Sequence, residues 1–364
     1  MASTESSTTD IAEELSVYDV EVHTSETWQA LMEYIDDDDF RKREQAGYGN
    51  APDNWGPIPW DGWDRTNGGT HQYDLGAIEQ AEDYEETRKK FNIDKVIFSP
   101  GIGFKIFQIP DRQTRIAYMR AMNNLSRERF IRDDDTYYAK IHIVPEHPEE
   151  SAQEIEKHGD EDGFVSVFMA DMGPEYPLGH EMYEPIYEAA EKHDLPITLH
   201  GESSVYPGFP TDGFNFNTFL EYHTLVHPFT KLWHATSIIG QEIPERFDID
   251  WCFLEAGQSW IQMLANRMDR EFMERRSDAP QLTKLPSEYL TDFYHGTQPL
   301  EEPRNSNDIG NIIESNDLED SLVMATDWPH HDFDSTTSIS RNDDLTQEQK
   351  VKILQDNPQE LYGI

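Results

Sequence analysis

The stretch "KHDLPITLHG", residues 192–201, decides the fold. It reads as a helix end, a turn and then a strand whose last residue is His200. Pro196 cannot continue a helix but is tolerated where a strand begins. The stretch "SLVMATDWPHHD", residues 321–332, has the same layout: an apolar run ends at Asp327 and Pro329 stops it two residues later. Working outward from these two strands, at 196–200 and 322–327, six more β-rich runs lie at 17–22, 95–99, 138–144, 164–170, 250–255 and 292–297. Segments of helical periodicity separate them, at 113–129, 149–158, 181–193, 260–276 and 307–316. Alternating strands and helices imply a parallel sheet. Eight such units predict an α/β fold closed into a TIM-type (β/α)8 barrel. A doubly wound open sheet is the alternative. No G-x-G-x-x-G turn follows any of the strands, which argues against a dinucleotide-binding fold.

At 364 residues the chain is long enough for one such barrel with insertions, and 15–364 is read as a single domain. The insertions fall at about 39–73 and 201–217. The first contains "GYGNAPDNWGPIPWDGWDRTNGGTH", residues 47–71, and follows the first strand. Both are aromatic rather than merely flexible, and loops of that length over the C-terminal face of a barrel are usually functional.

Charge narrows the possible partners. Seventy-two acidic residues face twenty-nine Lys plus Arg, for a net charge of -43. The acids are spread along the chain, whereas a partner-binding tail would concentrate them. Self-repulsion of this size destabilises a folded protein unless salt screens it, so the expectation is a salt-adapted protein with an acidic surface. Nucleic acid and anionic membrane are excluded as partners on charge. Disorder is excluded by eight Trp, sixteen Tyr and eighteen Phe. The lone Cys252 rules out an intrachain disulfide and reads as a buried, inert thiol. No apolar run has transmembrane length, and the opening "MASTESSTTDIAEE" lacks the features of a signal peptide. Residues 1–14 are therefore expected to form a disordered acidic tail, and the protein to be cytoplasmic.

Four candidate metal ligands fall at predicted strand ends: Glu21 and His23 on the first strand, His200 on the fifth and Asp327 on the eighth. Side chains repeat with period two along a strand, so Glu21 and His23 face the same side. A single His at a strand end is more often an ordinary polar residue. What carries weight is that a closed barrel brings these three strand ends into one mouth. Two imidazoles and two carboxylates suit one divalent ion, Zn2+ first, with Mn2+ or Fe2+ as alternatives.

Three stretches resemble the amidohydrolase-related superfamily, in the branch of aminocarboxymuconate-semialdehyde and γ-resorcylate decarboxylases. They are "HEMYEPIYEAAEKHDLPITLHGE" at 180–202, "IPERFDIDWCFLEAGQSWIQMLANRMDREF" at 243–272 and "LVMATDWPHHDFD" at 322–334. The resemblance is continuous from about residue 121 to 364 and patchier before that. It implies a barrel with one catalytic metal held by Glu21, His23, His200 and Asp327. It also implies a small-molecule substrate and a homo-oligomer, with a dimer expected. The E-x-H form of the first pair is similar to that of the aromatic-acid decarboxylases. The sixth strand departs from them: they carry a catalytic His where this chain has Glu255, in "FLEAGQSW". Glu255 is read as a general base, as a further ligand, or as a residue that orients a ligand histidine.

Other residues are read as shaping the pocket. Asp327 and His331 join Glu255 as catalytic candidates. Trp63 and Arg65 in the first insertion, Gln298 after the seventh strand and Trp328 beside Asp327 are substrate-binding candidates. Arg65 has the fork geometry to hold a carboxylate, although a loop arginine is more often an ordinary surface charge. Trp260 is read as core. The expected function is a metal-dependent hydrolase or decarboxylase acting on a small organic acid, amide or lactone, with an aromatic or cyclic substrate suggested by the Trp-rich loop. The alternative is a catalytically altered, metal-stabilised barrel that serves as a binding scaffold.

Overall fold

The computed structural model describes residues 10–46, 77–107, 109–201, 218–301, 308–330 and 332–364. Eight parallel strands follow one another in sequential order: β1 (Tyr18–His23), β2 (Lys95–Ser99), β3 (Tyr137–His142), β4 (Phe164–Ala170), β5 (Ile197–His200), β6 (Trp251–Leu254), β7 (Tyr294–Gly296) and β8 (Leu322–Val323). Backbone hydrogen bonds close the ring between the last segment and the first. Val20 N–H donates to the Met324 carbonyl (3.0 Å), Asp327 N–H to that of Glu21 (3.0 Å) and His23 N–H to that of Trp328 (2.7 Å). A doubly wound sheet reverses its strand order at a switch point, and this one does not. Every residue of β1, β3 and β4 is buried, because helices cover the outside of the ring and side chains fill the inside.

Two strands are shorter than their apolar runs suggest. Asp292 still belongs to the helix Pro286–Asp292, so β7 starts at Tyr294. After Val323 the eighth segment continues to Asp327 on the closing bonds to β1, outside regular ladder geometry. A register irregularity between Asp19 and Val22 alters the alternation of β1. Val20 joins an apolar cluster with Ile97, Tyr138, Cys252, Val323 and the C-terminal Leu361 and Tyr362, while Val22 packs in the larger core.

The described helices that cover the ring include α1 (Arg112–Arg129), α2 (Pro148–His158), α3 (Glu184–Lys192), α4 (Phe219–Gly240), α5 (Ser259–Arg275) and α6 (Asp308–Asn316). Asp111 caps α1 by accepting from Thr114 N–H (2.8 Å), and Pro148 occupies the first turn of α2, where its missing N–H costs nothing. Helix α4, 22 residues long, is absent from the expected helices. Pro228 lies inside it and interrupts the helical signal. A reciprocal cap between Thr218 and Glu221 starts it.

The expected disordered tail needs correction over residues 10–14. Asp10 caps a short 3-10 turn, Ile11–Glu13, and accepts from Arg341 Nε (2.7 Å). Ala12 of that turn is buried, which ties the segment down. Among the described residues no helix is long and apolar enough to cross a membrane.

Candidate metal centre

The strands end where the chemistry gathers. Glu21 and His23 come from β1, His200 from the end of β5 and Asp327 from the segment after β8. All four are buried, and one donor atom from each lies within 4.8 Å of the other three. His23 Nε2 is 2.9 Å from Asp327 Oδ1 and 3.7 Å from Glu21 Oε1. His200 Nε2 also contacts Glu21 Oε1. Despite this proximity, both oxygens of Glu21 and of Asp327 and the Nε2 atoms of both histidines lack a hydrogen bond of proper geometry. Buried polar atoms are normally paired, so a converging set of orphaned lone pairs marks a place for a cation. Donors about 2.0–2.2 Å from a shared ion stand roughly 3–3.5 Å from one another, and the separations from His23 bracket that range.

The electrostatics agree with that fit. Burial opposes ionisation of Glu21, yet His200 and His23 hold its carboxyl down at about 2. Burial likewise opposes ionisation of Asp327, while His330 and His23 hold it well below the usual carboxylate range. Burial disfavours a charged His23, but Asp327 and Glu21 raise it to about 9. A field that holds a proton between two carboxylates also favours a dication there.

Several neighbours position these groups. Asp19 is buried and accepts from Thr326 N–H (3.0 Å), Thr326 Oγ1 (2.7 Å), Glu21 N–H (3.2 Å) and the Tyr84 hydroxyl (3.2 Å). It ties the backbone of one candidate ligand to the residue before another. Burial pushes the Asp19 carboxyl up to about 7. Lys140 Nζ donates to the Val20 carbonyl (2.7 Å) and Ser99 Oγ (2.6 Å), and burial lowers its amine to about 8. His200 Nδ1 faces the Gly201 carbonyl, which leaves Nε2 for the centre. A cavity of ≈ 270 Å³ opens above, lined by His23, Glu26, Phe104, Lys105, His200, Glu255 and His330 among others.

Glu255 follows β6 and is 2 % exposed. Its Oε2 is 3.5 Å from His200 Nδ1 and 3.2 Å from His227 Nδ1. Burial, then the carboxylates of Asp327, Asp332 and Glu21, pushes its carboxyl well above the ordinary value. Glu255 therefore touches the outer nitrogen of one candidate ligand histidine and also borders the cavity.

The other expected site residues fall elsewhere. Trp328 does not line the cavity; its indole packs in the core against Tyr84, Phe91 and Phe333. The backbone at Asp327 is left-handed (φ 58°), so adjacency in sequence does not carry Trp328 to the same side as its neighbour. Gln298 is buried and its Nε2 donates to the Asp332 carbonyl (3.3 Å). Trp260 is core, and Cys252 is a buried free thiol that burial pushes up to about 12. Trp63, Arg65 and His331 lie outside the described residues. His330 instead reaches the site: its Nδ1 is 2.7 Å from Asp327 Oδ1 and its ring stacks on His23, with centroids 4.3 Å apart. His223 and His227 of α4 were not anticipated, although the H-x-x-x-H spacing on one helix face is a usable signal.

Fold and site together define a (β/α)8 barrel whose strand ends direct buried imidazoles and carboxylates at one point. The chain belongs to the amidohydrolase family, whose pattern matches residues 19–364. It is 23% identical over 277 residues to γ-resorcylate decarboxylase of Rhizobium radiobacter, covering 70% of this chain and 79% of the relative. Its fold is similar to that of an amidohydrolase from Mycobacterium avium subsp. paratuberculosis, with TM-score 0.72, 15% identity and coverage of 96% and 98% of the two chains. It is also similar to 5-carboxyvanillate decarboxylase of Novosphingobium aromaticivorans, solved with manganese and 4-hydroxy-3-methoxy-5-nitrobenzoic acid. There the TM-score is 0.66 at 16% identity, with 96% of each chain covered.

Proposed function

We propose that this protein is a divalent-metal-dependent enzyme that removes the carboxyl group of a small hydroxylated aromatic acid without oxidation. The observation that carries the reading is the buried convergence of Glu21, His23, His200 and Asp327, with lone pairs that no hydrogen bond uses. The aromatic-acid decarboxylases among the relatives support the choice of reaction. Those four side chains would hold the ion. Manganese in the carboxyvanillate enzyme favours Mn2+, and the donor set also suits Zn2+ or Fe2+. When bound, the ion supplies Lewis acidity toward substrate oxygens.

The chain's own residues account for binding and proton transfer. Phe104 packs against His200, with ring centroids 4.7 Å apart, and gives the cavity an apolar wall for an aromatic ring. Lys105 offers a cation to an incoming carboxylate. In the reaction the bond between ring carbon and carboxyl carbon breaks, carbon dioxide leaves, and the ring carbon keeps the electron pair and takes a proton. His330 borders the cavity and is oriented by Asp327, so it is the group assigned to deliver that proton.

A second reading, hydrolysis, is favoured by one observation. By the sequence resemblance Glu255 falls where the decarboxylases carry a histidine, and a carboxylate suffices as a base toward water. Metal-reconstituted protein in concentrated KCl, incubated with 2,6-dihydroxybenzoate and other hydroxybenzoates, separates the two. Carbon dioxide with the matching phenol is the expected result. Turnover confined to lactones or amides would transfer the assignment to hydrolysis. No turnover of either class by a metal-loaded chain would overturn both.

A further inference from the structure

A second cluster adjoins the four-residue centre. His223 and His227 stand one turn apart on α4, so both imidazoles project from one face. Their ring centroids are 4.9 Å apart, at 72°. Donor atoms of His223, His227 and Glu255 lie within 4.8 Å of one another. His227 is 3% exposed, and neither of its ring nitrogens makes a hydrogen bond. An imidazole at that depth normally satisfies at least one nitrogen. On the outer side, Asp332 Oδ2 lies 3.9 Å from His223 Nε2. On the inner side, Glu255 also groups with Asp327 and His330, so one carboxylate borders both clusters.

Charge points the same way. Glu21, Asp327 and Glu255 are each no more than 2% exposed. With Glu255 ionised, as a ligand has to be, three buried carboxylates exceed the charge of one dication, and neutral imidazoles do not make up the difference. The buried ammonium of Lys231 is engaged by Asp171, and that of Lys140 by Val20 and Ser99. An uncompensated buried charge is costly; with the partly exposed Asp332 carboxylate beside His223 the count becomes four, which two dications balance.

We infer that His223, His227 and Glu255 form a second divalent-cation site next to the first, with the Glu255 carboxylate facing both ions. The inference rests on the metal-dependent reading of the same cavity. Two imidazoles with carboxylate oxygen suit a borderline ion such as Mn2+ or Zn2+. Glu255 then acts as a ligand in its ionised form, and proton delivery stays with His330.

Counting ions tests this. Protein stripped with a chelator, reloaded with Mn2+ and desalted in KCl is expected to retain two ions per chain. The H227A and H223Q variants are expected to retain one, with unchanged circular dichroism. H223Q serves as the backup if H227A fails to fold, because the His223 side chain is 17% exposed and is the more tolerant position. An H23A/D327N variant should keep the ion on α4 while losing the other. The spin-coupled Mn2+ resonance of the wild type should give way to an isolated-ion signal in each variant. One ion in the wild type, or two in both histidine variants, would overturn the second site and leave the proposed function standing. No retained ion would overturn both.

Discussion

Asp327 and Glu255 both adopt left-handed backbone angles, φ 58° and 55°. Non-glycine residues hold such angles at a cost of order 1–3 kcal/mol, and they persist where the surroundings over-determine them. Here the gain is direction: the Asp327 carboxylate is turned toward Glu21, His23 and His200, and that of Glu255 toward the cavity. His330 depends on that turn, because it reaches the site through Asp327. An H330N variant should keep its metal content and lose roughly 10²- to 10⁴-fold in kcat, as measured by product formation. Undiminished kcat would remove His330 from proton delivery. Trp328 lies on the other side of the same turn. W328A should lower stability by about 3–5 kcal/mol in urea unfolding, as truncation of a core aromatic does. A raised KM with full stability would instead return the indole to the substrate. The sequence makes Asp327 conspicuous, since an apolar run leads into it, but side-chain direction beyond a left-handed residue is not legible there. That is why Trp328 reads as a mouth residue and His330 is passed over for its neighbour.

At the scale of elements, strands were easier to read than helices. A strand buried on both faces shows itself as a largely apolar run, as in β4 with Ser166 its one polar residue, and Pro196 marks where β5 begins. Helix α4 lacks such a mark. Its polar histidines turn inward, and Pro228 breaks the expected pattern. His223 and His227 were missed with the helix that carries them. Helix α2 offers a test of how an element is anchored. Glu154 is 3% exposed and accepts from Asn123 Nδ2 (3.1 Å), with His158 Nε2 3.5 Å away. Burial pushes its carboxyl up, but His158 and Asn123 prevail and hold it below its ordinary value. A depressed carboxyl contributes stability that is fully present above its unfolded pKa, about 4.3, and is lost as pH falls through the folded value. The unfolding free energy of E154Q should therefore decline less steeply below about pH 4.5 than that of the wild type. Parallel acid limbs in urea titrations of the two proteins would refute this anchoring.

For the whole molecule the dominant quantity is the net charge of -43. We propose that the acidic surface is an adaptation to concentrated salt. Screening shortens the reach of repulsion from about 10 Å at 0.1 M to about 3 Å at 1 M. The melting temperature should climb as KCl rises across that range, and a flat or falling trend in scanning calorimetry would rule the adaptation out. Ring closure was legible from the sequence because eight apolar runs alternate with helices. The register irregularity in β1 was not, because Val20, Glu21 and Val22 look like ordinary alternation. Closure also has a consequence for biosynthesis. Asp327 meets Glu21 and His23 where the final segment returns to β1. A nascent chain leaving the ribosome displays Glu21, His23 and His200 well before Asp327 is translated. On the proposed metal-dependent reading, cofactor loading is a late event in maturation, and a polypeptide whose synthesis stops early never gains a complete binding pocket to compete for the cell's free metal.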